Sequence, residues 1–204
     1  MLTSYFITHS VLTPKECQTI IDHCSNRCKT SSILDLNDDG FQDKKYRNSL
    51  NTFLTKSDHQ TLPMIQKVID NVVRKSDEYF KFPIGFIEDI QYAEYTKGMY
   101  YKEHMDSGDT LKFDRDISAS VILSPRNEYD EGNLCIRQTY SGEFIDVEER
   151  QGDVILFSSM LTHKVKEVKN GKRSSLVLWC KRPNIISMSI IYLWFKHFFY
   201  RDNM

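Results

Sequence analysis

The chain has 204 residues, a length that suits one domain or one domain with an appendage. It carries 27 basic and 28 acidic side chains, and 40% of its residues are hydrophobic, which is typical of a globular protein. Because nucleic-acid-binding domains usually carry a basic excess, the balanced charge leads us to expect no nucleic-acid partner.

The cysteines indicate a reducing compartment. Their number is odd and no Cys-x-x-Cys pair is present; they are Cys17, Cys24, Cys28, Cys135 and Cys180. This pattern fits reduced, mostly buried thiols better than a disulfide framework. The N-terminus lacks a basic segment followed by an apolar one, so we expect no secretion and a cytoplasmic protein.

The N-terminal part, about residues 1–82, predicts two helices. Thr13 is a suitable N-cap, Pro14 suits the first helical position, and Glu16 completes a capping box. The second helix begins at Pro63, where apolar residues recur at helical spacing. Residues 29–60 between them are polar and irregular, and they predict a long loop with short elements.

From about residue 83 the pattern changes to short runs of β-branched and aromatic residues. These runs predict strands near 85–96, 117–123, 133–138, 143–148, 153–158, 162–168 and 174–180. Turns are predicted between them, including Asn127–Gly132 and Asn170-Gly171. Several short strands after a helical segment favour a β-sandwich or barrel with helices that support one sheet.

The C-terminal tail, residues 183–204, is apolar and aromatic between Ile185 and Tyr200. Its apolar part breaks at Lys196 and His197, and it is shorter than the roughly 20 residues that span a bilayer. A terminal helix or strand packed on the domain is the leading interpretation. Attachment to a membrane surface or to a partner, including a second copy of the chain, stays open.

A group of three residues predicts a metal centre. His104 and Asp106 form a His-x-Asp pair, and on a strand residues two apart point to the same face. His163, in another strand-like run, is the third candidate. Two histidines and one carboxylate leave open positions on iron(II) for a co-substrate and O₂. The alternatives are an exposed loop that contacts water only, or a zinc site, although the usual zinc signatures are absent.

Arg173 lies ten residues beyond His163, and on a strand it shares a face with Ser175. A buried guanidinium matches a carboxylate bidentately, and a serine hydroxyl adds one donor. The pair is therefore a candidate receptor for the distal carboxylate of a dicarboxylic acid. Taken alone, Arg173 is better interpreted as a cation on the surface of a strand.

In their order along the chain, these motifs resemble the 2-oxoglutarate and Fe(II)-dependent dioxygenases, and within them the prolyl 4-hydroxylase-like branch. The similar segments are Tyr95-x-x-Gly98-x-x-Tyr101-x-x-His104-x-Asp106, Arg115–Ser118, Asp130–Leu134, Gly152–Phe157, and His163 through Gly171, Arg173 and Trp179. Glu131 replaces the first glycine of a Gly-Gly-x-Leu turn. Ile122 stands where some relatives carry a tyrosine that reaches 2-oxoglutarate.

The resemblance implies an α+β, mainly β fold with a double-stranded β-helix (jelly-roll) core at about 83–182 and supporting N-terminal helices. It implies Fe(II) bound by His104, Asp106 and His163. It also implies 2-oxoglutarate bound by Arg173, Tyr95 and Ser175. O₂ is the oxidant, ascorbate an optional reductant, and succinate and CO₂ are products.

The substrate is less constrained. The branch implies 4-hydroxylation of peptidyl proline, with another side chain or a free small molecule as alternatives and a non-catalytic metal-binding interaction module as a further one. We expect substrate choice to depend on residues 38–50, which include Arg47, on Ser107–Asp114 and on Arg137. Tyr101 and Trp179 are interpreted as core aromatic residues, Arg115 as an ion-pair partner and Asp153 as the brace of a turn.

Overall fold

The computed structural model describes residues 5–31, 44–55, 57–107, 114–139 and 141–183. In these ranges the α-helices are α1 (Pro14–Cys24) and α2 (Leu62–Lys75). The strands are β1 (Tyr5–Thr8), β2 (Lys29–Thr30), β3 (Arg47–Asn48), β4 (Leu50–Leu54), β5 (Phe86–Ile87), β6 (Ile90–Thr96), β7 (Tyr100–His104), β8 (Ile117–Ile122), β9 (Tyr129–Glu131), β10 (Leu134–Arg137), β11 (Phe144–Asp146), β12 (Val154–Ser158), β13 (His163–Val165) and β14 (Val168–Lys181). Three parts of the predicted segments lie outside the described residues: 184–204 of the C-terminal tail, and 38–43 and 108–113 of the two segments expected to govern substrate choice.

Helix α1 begins as its sequence predicts. The Thr13 hydroxyl accepts a hydrogen bond from the Glu16 backbone N–H, and the Glu16 carboxylate accepts one from the Thr13 N–H. This capping box satisfies two N–H groups that a helix start otherwise leaves unpaired. Helix α2 also begins within one residue of the predicted position.

The strands form two antiparallel sheets. The larger sheet has the order β1-β12-β8-β14-β6-β4-β2, and the smaller sheet has the order β11-β10-β13-β7-β3. The predicted β-rich jelly-roll core with supporting helices is confirmed. The N-terminal segment adds strands to both sheets, since β4 pairs with β6 and β3 pairs with β7.

Side-chain alternation divides the larger sheet into two faces. On β14, Leu176 and Leu178 pack with the apolar faces of α1 and α2 in the largest hydrophobic cluster of the described residues. The intervening Arg173, Ser175 and Val177 line a pocket instead. The helices therefore seal one face of the sheet and leave the other to form a polar site.

Three local predictions were incomplete, and one of them is the turn expected at Asn127–Gly132, which contains β9. The segment 29–60 was expected to be a long loop, but it contains β2, β3 and β4. Asn170-Gly171 was expected to be a turn, but it lies within β14, where the pairing with β9 shifts register between Val168 and Asn170. A bulge produces the same local glycine signal as a turn, because both require unusual backbone angles.

Gly171 allows two chain segments to approach closely. Its φ is +73°, and a Cβ at this position would lie 1.9 Å from the Glu128 carbonyl oxygen. We expect Gly171→Ala to lower the free energy of unfolding by more than about 2 kcal/mol, because backbone strain and overlap add. Gly98→Ala is the matched control, since φ is +81° there but no atom lies within 4 Å of the added carbon.

Chemical denaturation of the two variants measures this difference. Gly98→Ala should cost about 1 kcal/mol, the strain of the left-handed backbone alone. Equal losses in the two variants would contradict the close approach at Gly171.

In the described part of the chain, no helix combines the length and the apolar character that a membrane span requires.

Candidate functional site

The three predicted metal ligands converge in the structure. One ligand atom from each of His104, Asp106 and His163 lies within 4.8 Å of the other two. His104 is the last residue of β7, and His163 pairs with it as the first residue of β13. Asp106 lies two residues beyond the end of β7, in a bend and not on the strand as expected. Backbone hydrogen bonds from Asp106 and Ser107 to the Ser159 carbonyl hold this bend.

Neighbouring groups orient all three side chains. Nδ1 of His104 lies 2.7 Å from the Lys102 carbonyl oxygen, and Nδ1 of His163 lies 2.9 Å from the Leu161 carbonyl oxygen. These contacts place the N–H on Nδ1 and leave each Nε2 free as a ligand. The Ser118 hydroxyl donates to Asp106 Oδ2 at 2.6 Å.

Burial and the charges of the neighbouring ligands shift the pKa of each of the three side chains. Burial, helped by the positive charge of His163, lowers the pKa of His104 to about 3. Burial raises the pKa of Asp106, but the neighbouring histidines and the Ser118 hydroxyl outweigh it and hold this pKa well below its usual range. Asp106 also raises the pKa of His163 against the effect of burial. A carboxylate and two imidazoles of this kind are donors that fit Fe(II).

The triad borders a pocket between the two sheets, and the space in and around the mouth of this pocket, open solvent included, is about 490 Å³. Apolar walls come from Leu134, Phe157, Val165 and Val177. The aromatic residues expected in the core also line it, and the Tyr101 ring stacks on the His104 imidazole with centroids 3.6 Å apart. The site is therefore a partly open pocket whose apolar walls surround a set of buried polar and charged side chains.

Arg173 lies in the same pocket and is already paired with a carboxylate of the protein. Its side chain is 1% exposed, and its Nε and Nη2 donate to Glu149 at 3.0 and 3.2 Å. Its Nη1 donates to Ser175 Oγ at 3.2 Å, and the Tyr129 hydroxyl donates to Glu149. Glu149 thus fixes one edge of the guanidinium and leaves the Nη1 edge, with Ser175, on the pocket side.

Tyr95 is the neighbour of Arg173 in the β6–β14 register, and its ring centroid lies 5.9 Å from the guanidinium carbon. Both residues line the pocket together with Ser175. The structure therefore brings the three predicted co-substrate residues together at one end of the cavity that also contains the metal triad.

The other sequence interpretations have different outcomes. Arg115 forms an ion pair with Glu88 at 2.6 Å, as expected. Asp153 braces a turn by accepting hydrogen bonds from the Ser10 and Arg150 N–H groups. Arg137 does not line the pocket; it is partly exposed and pairs with Glu103.

Sequence reasoning missed three polar residues at the site. Glu149 follows an acidic residue and precedes a basic one, a pattern typical of a solvated loop, and nothing signals its burial. Ser118 and Gln91 are polar residues within the largely apolar strands β8 and β6. An isolated polar residue that points to the buried side of a strand is the signal that could have identified these last two.

Comparison with known proteins agrees with the geometry. Residues 90–181 match the family model of the 2OG-Fe(II) oxygenase superfamily. A PKHD-type hydroxylase of Prochlorococcus marinus (strain MIT 9312) is 31% identical over 114 residues, which are 56% of this chain and 49% of that protein. The chain thus spans about half the length of this curated relative.

Solved structures share the fold at low sequence identity. A prolyl-4-hydroxylase of Pseudomonas putida superposes with a TM-score of 0.72 at 17% identity, over 90% of this chain and 95% of that one. A prolyl hydroxylase of Trichoplax adhaerens, in complex with a hypoxia inducible factor peptide fragment, gives 0.73 at 13% identity, over 89% and 84%. Residues 90–181 are therefore similar to the 2OG-Fe(II) oxygenase superfamily, and the chain shares its fold with solved prolyl hydroxylases.

Proposed function

We propose that this chain is an Fe(II)- and 2-oxoglutarate-dependent hydroxylase in which His104, Asp106 and His163 bind the iron. The observation that carries the proposal is the shared cavity. Three ligand atoms within 4.8 Å of one another face the same apolar pocket as a buried arginine. Two imidazoles and one carboxylate on one side of the ion leave positions for a chelating co-substrate and O₂.

Arg173 and Ser175 bind the distal carboxylate of 2-oxoglutarate in this proposal, with Tyr95 beside them. Because Glu149 occupies Nε and Nη2, the co-substrate meets the Nη1 edge of the guanidinium and the Ser175 hydroxyl. Together the bound iron and 2-oxoglutarate supply O₂ activation, with release of CO₂ and succinate. The apolar walls exclude water, so the oxidising equivalents go to the substrate C–H bond.

The proposed substrate is peptidyl proline, hydroxylated at C4. Two similar structures are of prolyl hydroxylases, and one of them holds a peptide fragment. The five cysteines are free thiols, which favours a cytoplasmic location, where ascorbate can serve as a reductant. A second copy bound through the C-terminal tail remains a proposal from the sequence.

Mass spectrometry tests the reaction. Proline-containing peptides are incubated with the chain, Fe(II), 2-oxoglutarate and ascorbate in air, and succinate is measured in parallel. We expect products one oxygen atom heavier, with hydroxyl at C4 of proline, in proportion to succinate. Succinate without any oxidised peptide would exclude these substrates, and neither product would contradict the proposed reaction.

A further inference from the structure

Arg47 is a buried cation that no carboxylate among the described residues neutralises. It lies in β3 and is 7% exposed. Its Nε donates to Ser49 Oγ at 2.9 Å, its Nη2 donates to Gln91 Oε1 at 2.7 Å, and its guanidinium lies 4.6 Å from the centroid of the Tyr101 ring. No carboxylate in the described part of the chain pairs with it. Burying an unpaired charge costs free energy, and an anionic ligand that pairs with Arg47 would offset this cost.

Two other residues with hydrogen-bond donors line the same pocket. Gln91 is 4% exposed, and since its amide oxygen accepts from Arg47, its amide nitrogen is left to donate. Nε1 of Trp179 is buried and has no hydrogen-bond partner in the described ranges. Arg47, Gln91 and Trp179, called here the second donor set, all border the cavity with His104. Three donors with one positive charge match a carboxylate, which only accepts hydrogen bonds.

The second donor set is distant from Arg173. In the β6–β14 register, Arg173 is opposite Tyr95 and Val177 is opposite Gln91. Four residues along a strand span about 13 Å, and the six from Arg173 to Trp179 span about 20 Å. One five-carbon dicarboxylic acid that is held by Arg173 therefore does not reach the second donor set. The Tyr101 ring that contacts Arg47 also stacks on His104, so this set lies beside the metal triad.

We propose that Arg47, Gln91 and Trp179 form a subsite for a carboxylate of the hydroxylated substrate. The substrate then presents an anionic end close to the C–H bond that reacts. A free amino acid and the last residue of a peptide both offer this group, whereas an internal peptide residue does not. This inference rests on the proposed function, since it concerns the substrate of that reaction.

Calorimetry on protein loaded with Ni(II) and 2-oxoglutarate tests binding without turnover. The probes are N-acetyl-L-proline, its neutral amide, free L-proline, and peptides with proline at the C-terminus or inside the chain. We expect the carboxylate probes to bind about 10- to 100-fold more tightly than the amide and the internal peptide, the range for a charged hydrogen-bonded contact. Comparing the binding of free L-proline with that of the peptide with C-terminal proline distinguishes a free amino acid from a peptide C-terminus as the source of the carboxylate.

Variants assign this preference to Arg47. Arg47→Met should remove the preference for the carboxylate probes, and Arg47→Lys should keep part of this preference. Arg74→Met is the control, since Arg74 is exposed on α2. Thermal melting confirms that each variant is folded, and if Arg47→Met is not, Gln91→Leu replaces it and should weaken the preference.

Three results would overturn the subsite. The first is that wild-type protein binds the acid and the amide equally well, or binds neither. The second is that the folded variants keep the full preference for the carboxylate probes. The third is that Arg47→Met loses 2-oxoglutarate binding but keeps the preference for the carboxylate probes. Failure of the proposed function would look different, because the carboxylate preference would persist while no succinate or hydroxylated product forms.

Discussion

Replacing His163 with alanine is expected to abolish tight binding of divalent metal and to lower succinate formation by about 1000-fold or more, because metal catalysis supplies several kcal/mol. Without His163, only two ligand atoms remain to hold the ion. Among the described residues, the lining of the pocket has no other carboxylate or imidazole that could replace the third ligand. Calorimetry with Ni(II) and a succinate assay with Fe(II) measure the two effects.

Two matched variants make this result specific. His59→Ala removes an exposed histidine outside the pocket and should change neither quantity. Ser118→Ala removes the hydroxyl that orients Asp106 and should weaken metal binding by about 10- to 100-fold, as loss of an outer-shell partner does. Full activity of the His163→Ala enzyme would exclude this triad as the metal centre.

Replacing Arg173 with methionine is expected to have two separate effects. The KM for 2-oxoglutarate should rise by about 100-fold or more, because a charged hydrogen bond and its specificity are lost. The free energy of unfolding should fall by about 3–5 kcal/mol, because Glu149 is left buried without its cation. Succinate release against 2-oxoglutarate concentration gives the first effect, and chemical denaturation gives the second.

The double variant Arg173→Met with Glu149→Gln separates these effects. Removing both charges should restore much of the lost stability, since no unpaired ion stays in the protein interior. It should not restore co-substrate binding, because the receptor is still absent. Recovery of a normal KM in the double variant would show that Arg173 acts only as the partner of Glu149.

The sequence predicted the parts of the fold that depend on local signals. The capping box at Thr13 and the runs of β-branched and other apolar residues in β8, β12 and β14 specify elements by patterns a few residues long. The short strands β2–β4 carry no such signal, because β3 and β4 become strands only by pairing with β7 and β6, far along the chain, and β2 pairs with β4. The bulge at Gly171 was taken for a turn for the same reason.

The metal and co-substrate residues were predictable because the spacing of their motifs indicates their chemistry. His104, Asp106, His163 and Arg173 stand in an order and spacing that indicate one site. The position of Glu149 depends on the approach of the loop before β12 to the start of β14, which no local pattern records. The burial of Arg47 likewise depends on the pairing of β3 with β7, so sequence alone placed it in a loop.

The most direct test of the central claim is an anaerobic titration of the chain with Fe(II) and 2-oxoglutarate, followed by visible absorption. We predict a weak band that requires both components, with one equivalent of each at saturation. The band should be absent in His104→Ala, and in Arg173→Met it should require far more 2-oxoglutarate. Absence of the band in wild-type protein at saturating Fe(II) and 2-oxoglutarate would contradict the assignment of this pocket as an iron and 2-oxoglutarate site.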